Sequence, residues 1–202
     1  MQQSNQIEYT KHTIKKMLAS TFCGWVEQFY YNNFIFLFYF TDLPDSTVHA
    51  VIAAQSFHWF ANDKSISEIH RVLVPGGKLG LVWNTRDYTT PWVEELDEQV
   101  VLPLYKQSNT PKQQSGEWEK VLSASGKFGP INSDESFKMD QTFNFDELIG
   151  RLMSVSVIAV LSKEEKQKTI DRLKLILSKY NKQEKDMFTI PYRVQIYWCQ
   201  KT

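Results

Sequence analysis

Cysteine and glycine are scarce in this sequence, and neither sign of charge is in excess. The 202 residues include 2 cysteines, Cys23 and Cys199, near opposite ends. Two distant thiols make neither a disulfide framework nor a tetrahedral metal set. No metal site is expected, and a reducing, cytoplasmic setting is the default. Lys plus Arg and Asp plus Glu both number 23, giving a formal net charge of zero. A nucleic-acid-binding domain draws most of its affinity from a basic surface, so no nucleic-acid partner is expected. No apolar run reaches the roughly 20 residues of a membrane-spanning helix. The strongest, Phe29 to Phe40, is broken by Asn32 and Asn33 and reads as a buried strand or helix. Nor does the chain begin with the basic start and apolar core of a signal peptide. Of the 8 glycines, only Gly24 precedes Gly76.

What is present is an α/β pattern. Val48 to Ala54 (VHAVIAA) has the β-branched, apolar character of a strand buried on both faces. A helix is expected from about Asp63 to Val74, with Ser65 and Glu68 as a capping box and Ile66, Ile69 and Leu73 on one face. Pro75-Gly76-Gly77 should end it in a tight turn, and Lys78 to Trp83 is a second buried strand. Strand, helix, turn and strand make one crossover unit of a parallel sheet, expected to be right-handed.

Further on, Thr90 and Pro91 open a helix whose apolar face is Trp92, Val93, Leu96, Val100 and Leu104. A short helix should run from Trp118 to Ser125 and stop at Gly126. Phe137, Met139 and Phe143 alternate as in a half-buried strand. Helices follow over about Asp146 to Val160 and Ser162 to Lys179, the second with a Ser162–Glu165 capping box and a stripe of Ile170, Leu173, Leu177 and Tyr180. The last strand is the clearest: Phe188, Ile190, Tyr192, Val194, Ile196 and Trp198 occupy every second position. Pro191, lacking an N–H, belongs near that strand's start or on a free edge.

LPDSTVHAVIAAQSFHWF (Leu43 to Phe60) and EIHRVLVPGGKLGLVWN (Glu68 to Asn84) together resemble the fourth strand, following helix and fifth strand of class I S-adenosylmethionine-dependent methyltransferases. The likeness is to the small-molecule, type 11-like group with a Gln-x-x-His-Trp-Phe segment. RLMSVSVIAVLS (Arg151 to Ser162) and IPYRVQIYW (Ile190 to Trp198) are similar to that group's closing segments. The resemblance implies a partial Rossmann-like sheet of strands 4, 5, 7 and 6 with flanking helices, in a methyltransferase-like domain over residues 43–202.

Residues 1–42 form an atypical N-terminal segment. They are too short for strands 1 to 3 with their crossovers, since each βαβ unit needs about 30 residues. The family's glycine-type loop and ribose-binding carboxylate, which belong to that missing part, have no counterpart here. His49 stands where the family usually has an acidic residue. Strand 4 then becomes an apolar edge, open to pairing with a second copy or with Asn33 to Phe40 folded back antiparallel. Tyr30 to Phe40 uses only residues encodable by A and T, which resembles a translated intron end.

The resemblance implies S-adenosylmethionine as cofactor and a small-molecule methyl acceptor. It points to Ala54, Gln55 and Ser56 at the cofactor, and to His58 as the one candidate general base. Trp59, Asn84 and Arg86 would line the acceptor side, Arg86 suiting a carboxylate through bidentate bonds. Plainer alternatives stand beside these: Gln55, Ser56 and His58 as loop groups capping or packing under the next helix, Trp59 and Phe60 as core, and an Arg86–Asp87 contact in a surface turn. Methyl transfer needs placement of the electrophile more than a strong base, so no catalytic triad is expected. The competing classes are a catalytically inactive partner protein and, more remotely, a dehydrogenase-like enzyme.

Overall fold

The computed structural model describes residues 41–180 and 187–202, of which 41–202 belong to one compact unit. The expected pairing of Asn33 to Phe40 with strand 4 lies outside the described residues.

The first strand, β1 (Val48–Ala54), leads into a one-turn helix, α1 (Phe57–Phe60), and then α2 (Asp63–Val72). Strand β2 (Leu73–Arg86) follows directly and pairs with β1 in parallel, as expected of the crossover unit's two strands. Two readings of this unit change. Asn62, not a Ser65–Glu68 box, caps α2: its side chain accepts from the backbone N–H of Lys64 and Ser65 at 3.1 Å each. Glu68 instead faces Arg71 and Thr41. Pro75-Gly76-Gly77 does not separate helix from strand, because α2 has already ended at Val72. It is a bulge inside β2, where the register jumps from Val48↔Leu73 to Ala50↔Lys78. Gly76 has φ of +74° there.

The chain then forms α3 (Pro91–Leu96), a π-helical turn (Asp97–Val101) and α4 (Leu102–Gln107). Thr90 sits at the N-cap of α3 as expected, though its side chain makes no capping bond. Helix α5 (Glu117–Ala124) and strand β3 (Asn132–Phe143) come next. The helix expected over Asp146 to Val160 is two: α6 (Phe145–Met153) and α7 (Ser156–Ala159), parted at Ser154 and Val155. Asn144 and Glu147 close a capping box on α6. Helix α8 (Lys163–Tyr180) has the expected reciprocal bonds between Ser162 and Glu165. Its buried stripe is Leu173, Ile176 and Leu177, while Tyr180 reaches out to Glu95.

Strand β4 (Phe188–Gln200) enters between β2 and β3, antiparallel to both, so the sheet order is β1-β2-β4-β3. This is the arrangement expected for strands 4, 5, 7 and 6. Phe188, Ile190, Tyr192, Val194 and Ile196 are all buried, as their alternation required. Pro191 lies near the start of β4, just beyond its last rung with β2 at Tyr192. By contrast, β1 is not buried on both faces. His49 and Ala50 are exposed and Ile52 is 36% exposed, because among the described residues β1 is the outer strand. The main core lies where α3, α6, α7 and α8 cover the start of β4, with Trp92, Leu148, Ile158, Leu173 and Ile190 packed together.

Candidate functional site

The parallel pair β1–β2 ends at Ala54 and Val82, and the chain turns sharply there. Gln55 donates its backbone N–H to Val82 at 2.8 Å while holding φ at +55°, a left-handed conformation that costs a non-glycine residue free energy. Its side-chain amide reaches the Asn84 carbonyl at 3.4 Å. Ser56 occupies the N-cap position of α1, with no side-chain capping bond. In open α/β sheets the crevice beyond the strands' carboxyl ends is where ligands bind. Ala54, Gln55 and Ser56 therefore stand together at the expected end of the sheet.

The remaining expected residues divide between the two faces, because alternate strand residues point oppositely. Trp83 pairs with Gln195 and so shares a face with Tyr197, while Asn84 and Arg86, paired with Val194 and Tyr192, lie on the other. On the Trp83 face, its indole N–H donates to His58 Nδ1 at 3.1 Å. Burial lowers the His58 pKa to about 4, so the ring is neutral near pH 7. Trp59 is 37% exposed and stacks obliquely beside His58, whereas Phe60 is core.

On the opposite face, the Asn84 Oδ1 atom is buried with no hydrogen-bond partner in the protein. Arg86 does not meet Asp87. Its guanidinium donates to Asp97 at 2.5 Å, and Tyr88 Oη donates to the other Asp97 oxygen at 2.8 Å. Burial opposes the Arg86 charge, but Asp97 together with Tyr192, Tyr88 and Tyr105 outweighs it, leaving the Arg86 pKa raised. Asp87 instead accepts from Arg193 Nε at 3.0 Å. Arg86 thus has its carboxylate already, and that carboxylate belongs to the protein. Asp97 escaped the sequence reading because it looks like a polar residue in an amphipathic helix. The alternation of Trp83 with Leu81 was the one signal that Trp83 faces away from Arg86.

A methyltransferase-domain family model matches residues 35–81. The chain is 41% identical over 126 residues to an uncharacterized methyltransferase-like protein of Schizosaccharomyces pombe, covering 62% of this chain and 47% of that one. It is 55% identical over 56 residues to an uncharacterized methyltransferase of Mycobacterium tuberculosis, covering 28% and 23% respectively. Among solved structures, a type II methyltransferase from Anaeromyxobacter dehalogenans superposes with a TM-score of 0.55 at 18% identity, over 78% of this chain and 66% of that one. The chain is methyltransferase-like, in sequence over part of its length and in fold. It spans about half the length of the curated fission-yeast relatives it matches, 47% and 48%. The methyltransferase match ends at residue 81. It takes in all of β1 and the Gln55 to Phe60 segment, and it stops before Asn84 and Arg86.

No described helix is long and apolar enough to cross a membrane.

Proposed function

We propose that this chain supplies the β1–β2 wall of an S-adenosylmethionine-dependent methyltransferase cleft acting on a small molecule in the cytoplasm. The observation that carries the reading is the cluster at the strands' carboxyl ends: a left-handed Gln55, an uncapped Ser56 and an unpartnered Asn84 Oδ1. Strain and unmet hydrogen-bonding capacity are kept where a ligand uses them. These groups fit one side of a nucleoside bearing an amino acid, which presents donors and acceptors along its length. A glycine turn and a ribose-binding carboxylate are not among them. The cofactor's sulfonium supplies an electrophilic methyl group. The chain's part is orientation: Gln55 and Asn84 offer amide donors and acceptors, Trp59 an apolar surface, and His58 a neutral ring.

Calorimetric titration of the full chain with S-adenosylmethionine, and separately with S-adenosylhomocysteine, tests this. Micromolar binding that weakens on Gln55→Ala supports it; no detectable heat from folded protein refutes it.

The exposed β1, with Ile52 at 36%, favours one second reading, a non-catalytic protein that pairs through this edge with another copy. Sedimentation equilibrium separates the two: a dimer that Ile52→Lys disperses, with no cofactor heat, is the outcome for the second.

A further inference from the structure

The Gln55–Phe60 segment carries a histidine whose chemistry depends on a residue of the next strand. Trp83 is 2% exposed and packs against both Trp118 at 4.9 Å and Tyr197 at 5.8 Å, ring centre to ring centre. Trp118 is fixed in turn, 5.0 Å from Tyr197 and donating its indole N–H to the Gln113 carbonyl at 3.0 Å. The Trp83 ring therefore has no freedom to turn away from His58.

An indole N–H can only donate. Its 3.1 Å contact with His58 Nδ1 consequently requires a lone pair on that nitrogen. A neutral imidazole with an accepting Nδ1 carries its proton on Nε2. We propose that Trp83 is a positioning residue that holds His58 in the Nε2-protonated tautomer, so that His58 meets its ligand as a hydrogen-bond donor and not as a general base. The inference rests on the methyltransferase reading for what the donor is for, since donation to an electronegative atom of acceptor or cofactor is orientation, which methyl transfer needs most. It is independent of that reading for what the ring is.

The test is long-range ¹H–¹⁵N correlation spectroscopy on the full, ¹⁵N-labelled chain. The expected spectrum shows His58 Nδ1 unprotonated and Nε2 protonated from pH 6 to 8, with titration near pH 4. In Trp83→Phe, which keeps an aromatic ring but removes the donor, His58 should populate both tautomers. Its midpoint should also move up by about one unit, the size of one lost hydrogen bond to the neutral form. A protonated Nδ1 in the unaltered protein overturns the proposal, whether or not the variant folds. So does a Trp83→Phe spectrum with the tautomer unchanged. A merely structural Trp83 would alter stability and leave the tautomer where it was. Absence of cofactor heat would defeat the methyltransferase reading and leave this result standing.

Discussion

Replacing Asp97 by alanine should be among the most damaging single changes to this protein. Arg86 and Asp97 expose only 12% and 6% of their side chains, so neither charge has water to fall back on. Removing one partner of a buried ion pair leaves the other charge uncompensated, which costs roughly 3–5 kcal/mol. The Tyr88 hydroxyl loses its acceptor as well, but that side chain is 48% exposed and water replaces much of the bond. Against a total stability of about 5–15 kcal/mol, the loss is severe. At roughly 2–4 °C per kcal/mol for a chain of this size, the midpoint of thermal unfolding should fall by about 10 °C.

The decisive comparison is with the double substitution Arg86→Met, Asp97→Leu. Replacing a buried pair with apolar groups of similar volume is often neutral or stabilising, because the desolvation cost of both charges disappears. Urea unfolding followed by tryptophan fluorescence should therefore place the double variant within about 1 kcal/mol of the parent and each single variant far below it. Additive losses would refute the argument, since they would mean that the two charges do not compensate each other. A cost under about 1 kcal/mol for Asp97→Ala would do so too, by showing that water reaches Arg86.

Gly77→Ala should destabilise by about 1–3 kcal/mol, because an added Cβ would lie 2.9 Å from the Val74 carbonyl oxygen, a backbone atom that cannot swing aside. Gly150→Ala, in α6 with nothing within 4 Å of the new atom, should instead stabilise by up to about 1 kcal/mol; thermal unfolding of the pair checks both signs. The Glu68 carboxyl is held down to about 2, chiefly by hydrogen bonds from Arg71, against an ordinary value of 4.5. A depressed folded-state pKa stabilises the fold above pH 4.5, and that contribution drains away as pH falls toward 2. Glu68→Gln should flatten the urea midpoint over that window, and an unchanged slope would remove Glu68 as its source.

The elements that were legible in the sequence are those whose periodicity is enforced by a one-sided core. Strand β4 alternates because one face packs on α3, α6 and α8, and its alternate residues from Phe188 to Ile196 are buried as that pattern required. The parallel crossover was legible on a different signal, two short apolar runs flanking an amphipathic helix, together with the glycines beside Pro75. What failed were local hydrogen bonds with more than one eligible partner. Ser65 and Glu68 have the spacing of a capping box, but Asn62 lies in extended backbone at the true N-cap and takes the N–H groups of Lys64 and Ser65. Glu68 is then free to serve Arg71, which also reaches Asp45. The site residues were legible as a place, since Gln55, Ser56 and His58 follow β1 as expected. Their chemical states were not, because the partners of His58 and Arg86 arrive from Trp83 and Asp97, whose side chains no local pattern aims.

The π-helical turn shows how such a partner is delivered. Widening one turn of the α3–α4 segment to the looser π spacing changes which residues face inward, a device that often accompanies functional sites. Val100 and Val101 are both buried here, although a straight α-helix would rotate them about 100° apart and direct only one fully at the core. The apolar stripe read from the sequence included Val100 and passed over Val101 for that reason. The same turn starts at Asp97, and its carboxylate meets both Arg86 at the end of β2 and Tyr88 in the loop beyond. A buried charge pair is a poor source of net stability but a strict geometric constraint. Its effect here is to tie the end of β2 to the helix that follows, two residues beyond Asn84 on the same face of the strand. The polar groups at this end of the sheet are thus held by a rigid base, while Arg86, the arginine expected to suit an acidic acceptor, is neutralised from within.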